Sequence, residues 1–169
     1  MAVATTSSAD PFRATDDEAR ALARALLVNA THAALAVTRT DRMGPSVSRI
    51  ALATAPDGAP VSLISSLAPH TAALETDPAC SLLLGEAGEK GDPLTHPRLT
   101  LHCRVRFVEH DDPARDTLRA HYLSLRPKAK LYVDFTDFRF VRFLVLDGLL
   151  NGGFGKAYSL GPGDLDLTN

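Results

Sequence analysis

The stretch "SVSRIALATAPDGAPVSLISS", residues 46–66, decides how this chain folds. Asp57-Gly58 lies between two apolar runs, a strong short-range signal for a hairpin. Reading outward from it predicts strands over 46–54 and 61–66. Further strand-like runs stand on both sides: "AALAVTR" at 33–39, "ACSLLLG" at 79–85, "RLTLHCRVRFVE" at 98–109 and "FRFVRFLVLD" at 138–147. In the longest of these, Leu99, Leu101, Cys103, Val105 and Phe107 alternate with Arg98, Thr100, His102, Arg104 and Arg106, so one face is apolar and the other polar.

Helical signals are few and peripheral. Thr15 and Glu18 have capping-box spacing, and Ala19, Leu22, Ala23, Leu26 and Leu27 then form one apolar face to about Val28. A short helix over 69–77 ends at Asp77-Pro78, because proline disfavours helix in the residue before it. Asp112-Pro113 starts a helix that runs to about Leu125 and stops at Pro127. Six strands with short connections predict a mainly β fold: a closed or nearly closed antiparallel β-barrel with flanking helices. A parallel doubly wound sheet would need a helix after nearly every strand. The reading gives one domain over 14–158, a flexible N-terminus over 1–13 and a loosely held C-terminal tail over 159–169.

Composition narrows the partners. The chain has 169 residues, 45% of them hydrophobic, and a net charge of −2. That is long enough to bury a core, and without a basic stripe it gives no reason to expect nucleic acid. No apolar run is long enough to span a bilayer, and the polar start does not read as a signal peptide. Cys80 and Cys103 fall inside strands and read as free thiols of a cytoplasmic protein.

Two stretches could carry chemistry. The third strand ends in Ser65-Ser66, and His70-Thr71 open the helix that follows. Arg49 stands on the preceding strand, which the Asp57-Gly58 turn folds back, so residues 49 and 65 would pair at one end of the hairpin. A guanidinium, hydroxyls and helix N–H groups would then converge on a phosphate. The other stretch is "NGGFGKAY" at 151–158, whose glycines let backbone approach a flat ligand. The histidines show no metal-ligand spacing, and His102 and Cys103 point to opposite strand faces, so no metal site is expected. No nucleophile–base pair is present, so no catalytic acid or base is assigned.

The order of these motifs resembles a known family. "SRIALATAPDGAPVSLISSLAPHTAALETDPACSLLLGE", "GDPLTHPRLTLHCRVRF", "YLSLRPKAKLYVDFTDFRFVRF" and "NGGFGKAY" are similar to the FMN-binding split-barrel superfamily. Within it they resemble the pyridoxamine 5′-phosphate oxidase-related proteins of the haem-utilisation branch. The resemblance covers about residues 20 to 158. It implies a six-stranded split barrel and a homodimer with two flavin sites at the interface. It implies that Arg49, Ser65, Ser66, His70 and Thr71 hold the FMN phosphate, and that the backbone of Ser48, Ile50 and Ala51 runs along the ring. Thr100 and Arg98 would face the ring, and Gly153, Phe154 and Lys156 would approach it. Leu52, Leu63, Leu67 or Leu101 would supply its apolar wall. Pyridoxamine oxidases proper carry arginine and lysine where His70-Thr71 stand here. Three functions follow from the resemblance: an FMN-dependent oxidoreductase, a haem-binding or haem-degrading protein, and a flavin-binding protein without turnover.

Overall fold

A computed structural model describes residues 11–41 and 43–167. The predicted looseness of the first residues therefore falls, for 1–10, outside the described residues. One antiparallel sheet dominates: β1 (His32–Thr38), β2 (Pro45–Ala51), β3 (Ala53–Thr54), β4 (Pro60–Ser65), β5 (Ala79–Leu84), β6 (Arg98–Val108), β7 (Phe138–Asn151) and β8 (Ala157–Leu160). Among the described residues it is flanked by the helices α1 (Asp17–Asn29), α2 (Pro69–Thr76) and α3 (Arg115–Leu125).

The strand order is β2-β1-β5-β6-β7-β4-β3, with β8 added to β7. The two edge strands, β2 and β3, are separated in sequence by Leu52 alone. The sheet must therefore curl until its edges meet, which makes it a split barrel. This corrects the predicted 46–54 strand, which is two strands bent at Leu52. It also corrects the expected hairpin. Only the end of the Asp57-Gly58 turn is laddered, Ala53 with Val61 and Thr54 with Pro60. β2 pairs instead with β1, Arg49 opposite Ala34, and β4 pairs with β7, Ser65 opposite Phe138. The six strands expected become eight by this bend and by β8.

The bend is held by polar contacts. Leu52 N–H donates to Thr31 O at 2.9 Å. Across the split, the Ser62 hydroxyl donates to Ala51 O at 2.6 Å, in place of a ladder bond. Arg126 Nε donates to Leu52 O at 2.8 Å, and its Nη2 donates to Ala30 O at 2.7 Å. One guanidinium thus satisfies carbonyls of the bend and of the α1 terminus, which would otherwise be costly to bury.

The barrel interior holds Leu35, Leu52, Leu82, Leu84, Leu99, Leu101, Phe143 and Leu150, all at 0–1% exposure. Burying each such side chain stabilises by about 1.5–3 kcal/mol. Ala19, Ala23 and Leu27 of α1 join this core. The N-cap of α1 is Asp16, whose carboxylate accepts Ala19 N–H at 2.8 Å. Thr15, predicted to cap it, donates to Ser159 O instead. A second core lies outside the barrel. There α3 and the 3-10 turn Pro127–Leu131 cover Val61, Leu63, Val108 and Phe140, with Leu118, Tyr122, Ala129 and Val133.

Residues 159–167 of the predicted tail are packed rather than loose. Tyr158 pairs with Leu150 in the β7–β8 ladder, and Leu160, Leu165 and Leu167 enter the main core. Asp164 accepts from Arg20, and Asp166 pairs with Arg24 at 2.7 Å. At the other end, Arg13 N–H donates to Ala157 O at 2.8 Å.

Candidate functional site

Two places bear on the sequence expectations, the β4–α2 corner and the outer face of the sheet.

The corner is less open to an anion than its composition suggests. The Ser65 hydroxyl donates to Asp137 Oδ2 at 2.6 Å and accepts Leu67 N–H at 3.1 Å. The Thr71 hydroxyl is 1% exposed and donates to Ser65 O at 2.6 Å. A hydroxyl has one proton to give, so neither has one left for a phosphate. Asp137 also places a carboxylate there. Pro69 lacks an N–H, while Ala68 N–H and Thr71 N–H close turns onto Ser65 O and Ala68 O. Of the first helical turn this leaves the His70 N–H. Ser66 is exposed. His70 is half-buried, its Nδ1 lies 3.0 Å from Ser48 Oγ, and burial pushes its pKa down.

Arg49 does not join this group. Strand alternation puts Ser48 toward His70 and Arg49 on the opposite, exposed face. His70 instead borders a cleft of about 320 Å³ lined also by Val37, Arg39, Ser46, Pro69 and Ala73. Arg39 there is paired with Asp41. The backbone of Ser48 to Ala51 lies on an edge strand, so its outward groups are available apart from Ala51 O. The Ile50 side chain is core. Leu52, Leu63 and Leu101, expected as walls, are core as well, while Leu67 is 84% exposed.

Of the other predicted residues, Arg49, Thr100 and Arg98 fall on the outer face. Registers give one row across five strands: Arg49, Ala34, Leu83, Thr100 and Leu149. Arg49 and Thr100 thus share a face, but three strand spacings separate them, about 14 Å. Arg98 lies on the same face as Thr100 and donates through Nη1 to Leu94 O at 3.1 Å. Gly153, Phe154 and Lys156 form the β7–β8 turn beside α1. Gly153 has φ +121° and Gly155 +68°, which glycine adopts freely. Phe154 is 95% exposed, and Lys156 Nζ stands 3.7 Å from Glu18.

Sequence reasoning missed the centre of this face. Opposite His102, β7 carries a β-bulge, so Leu146 and Asp147 both face outward. His102 Nδ1 meets Asp147 Oδ1 at 2.5 Å. Around the pair, Leu83, Leu144, Leu146 and Leu149 are 37–52% exposed. Counting by twos from Phe143 and Val145 would bury position 147. The signal was the Asp147-Gly148 interruption of "FLVLDGLL", which reads as a strand end.

No family model matches the chain. It is 42% identical over 98 residues to a chloroplastic heme oxygenase of Arabidopsis thaliana, HOZ, a match of 58% of this chain to 29% of that protein. A heme-binding protein of Mycobacterium smegmatis superimposes with TM-score 0.77 at 28% identity, over 91% of this chain and 61% of that one. Another solved chain matches with TM-score 0.82 at 46% identity, over 90% of this chain and 98% of its own length. The chain therefore spans well under a third of the curated relative and less than two thirds of the mycobacterial protein. A Clostridium acetobutylicum protein related to general stress protein 26 of Bacillus subtilis, of the pyridoxinephosphate oxidase family, shares the fold alone: TM-score 0.67 at 12% identity, over 89% of this chain and 99% of that one. With the sheet curled and split at Leu52, these likenesses give one conclusion: the chain has the split-barrel fold seen in a pyridoxinephosphate oxidase family protein, and it is similar in sequence to proteins named for heme.

Proposed function

We propose that this chain binds haem on the outer face of its sheet. The observation that carries this reading is an apolar surface of Leu83, Leu144, Leu146 and Leu149 that no described element of the chain covers, with Arg49, Arg98 and Arg104 on the same face. A flat macrocycle with two propionates asks for that combination: apolar contact across its plane and guanidinium donors at its edge. The relatives named for heme support the same choice. Bound haem would supply the iron chemistry; the chain's part is to seat the ring and exclude water from one side of it. A second copy of the chain would cover the other side, so the working unit is a homodimer with sites between the subunits. The two unpaired thiols suit a cytoplasmic setting.

Titration of the purified chain with ferric haem tests this. A Soret band saturating near one haem per chain, lost in Leu83→Asp and Leu149→Asp, is the expected result. Free haem spectra at every ratio would refute it.

The flavin reading keeps one supporting observation, the cleft lined by Ser46 and His70 beside the exposed edge of β2. As the corner stands, the residues fit a phosphate poorly, because Ser65 and Thr71 have given their protons elsewhere. An FMN-dependent oxidoreductase therefore needs that corner to rearrange. Its test is retention of FMN through gel filtration, with release in Arg49→Ala and Ser66→Ala. No retention by the parent chain removes it.

A further inference from the structure

We infer that His102 ligates the haem iron through Nε2 and that Asp147 is the positioning residue that orients it. The inference rests on the haem reading above and adds the identity of the ligand. An ionised carboxylate only accepts hydrogen bonds, so the 2.5 Å contact with Asp147 places the proton on Nδ1. In the neutral imidazole this leaves the Nε2 lone pair directed away from Asp147. A carboxylate or carbonyl behind a ligating histidine is the usual arrangement at metal sites, because it fixes the tautomer and ring orientation.

Position agrees with chemistry. His102 lies in the middle of the open face, its side chain 42% exposed. Leu83 and Leu149 flank Thr100 two residues away on one side, and Leu144 flanks Arg104 on the other. Arg98 and Arg104 stand on the same strand face, placed for propionates. Three other histidines are less free. His32 has Thr31 at Nδ1 and Glu86 at Nε2. His96 Nε2 is engaged by Lys90 O. His70 lies at the corner, half-buried behind Ser48. The bulge at Leu146–Asp147 supplies the last element. It turns a carboxylate out of a parity that would bury it and sets it against the histidine at the centre of this face.

The simplest rival is an exposed histidine–aspartate pair with little effect of its own. Ferric haem titrated into the full chain separates the two, read by the Soret maximum, resonance Raman spin-state bands and dissociation constant. His102→Ala is expected to shift the Soret band, change the spin state and weaken binding at least about 10-fold; added imidazole restores the parent spectrum. Asp147→Asn leaves the histidine ligated and weakens binding about 10-fold. His32→Ala changes neither spectrum nor affinity. Circular dichroism verifies that each variant is folded, and His102→Met, which keeps the side-chain bulk, shifts the spectrum to that of thioether ligation. An unchanged spectrum and affinity in His102→Ala, with haem bound by the parent chain, overturns this inference and leaves haem binding intact. Failure of the parent chain to bind haem overturns both.

Discussion

Strand β7 runs through two environments on a single face. At its start Phe140 is 1% exposed beneath α3; farther along, Leu144 is 38% exposed and Leu146 52%. β4 belongs wholly to the covered half, where Val61 and Leu63 are buried. β2 lies at the far edge of the open half, where Val47 is 67% exposed. Both halves present large apolar side chains. The difference is that "LRAHYLSLRPKAKLYV" folds back over one half and leaves the other bare. Apolar side chains at such exposure on a regular sheet form the surface that the proposed haem and second subunit would cover.

Breaking the comparison starts with its extremes. Phe140→Ala removes a ring in edge contact with Tyr122, centroids 5.3 Å apart. It is expected to destabilise by about 3–5 kcal/mol in urea unfolding. Arg126→Met strands the Leu52 and Ala30 carbonyls and should cost about 2–3 kcal/mol. A loss below about 0.5 kcal/mol for either would mean that the covered half is not the structural one.

The open half should respond differently. Leu149→Asp is expected to leave the melting temperature of the isolated chain near that of the parent while abolishing the proposed dimer, as read by light scattering. A large loss of stability with no change of assembly would make this face a core and erase the contrast. Leu146→Ala, without haem, should stay within about 0.5 kcal/mol of the parent chain.

Alkaline pH probes the interior shared by both halves. Burial pushes the Cys80 thiol up to about 12 and the Cys103 thiol higher still. The native state holds these protons longer than the unfolded chain, whose thiols titrate near 9.0. Stability from this source is therefore complete below about pH 9 and falls as pH rises toward the folded values. Urea midpoints at about pH 8 and about pH 10.5 should differ more for the parent than for Cys80→Ala/Cys103→Ala. Equal differences would mean that the thiols are not buried in solution.

Much of this is legible in the residues. Alternation along Arg98–Val108 gives the longest predicted strand its bounds within a residue, and Asp77-Pro78 ends α2 as expected. The partner of each strand is not legible. Asp57-Gly58 announces a turn, but local signals cannot say that Leu52 bends the preceding strand away to the opposite sheet edge. The corner misleads for a related reason. Hydroxyls at Ser65 and Thr71 look free in a sequence, and Asp137, 72 residues from Ser65, takes one of them. His102 and Asp147 come together only through a bulge, which period-two counting does not anticipate.

The clamp between Arg20 and Arg24 of α1 and Asp164 and Asp166 has a topological consequence. It brings α1 and the segment 161–167 to one corner, so the described backbone runs nearly in a loop. Circular permutants, with residues 13 and 167 tethered by a short glycine-rich linker and new ends opened between β1 and β2, should keep the barrel. They would free the original corner from its role as a terminus and let a fluorophore or fusion partner be attached at the rim of β1 and β2 instead.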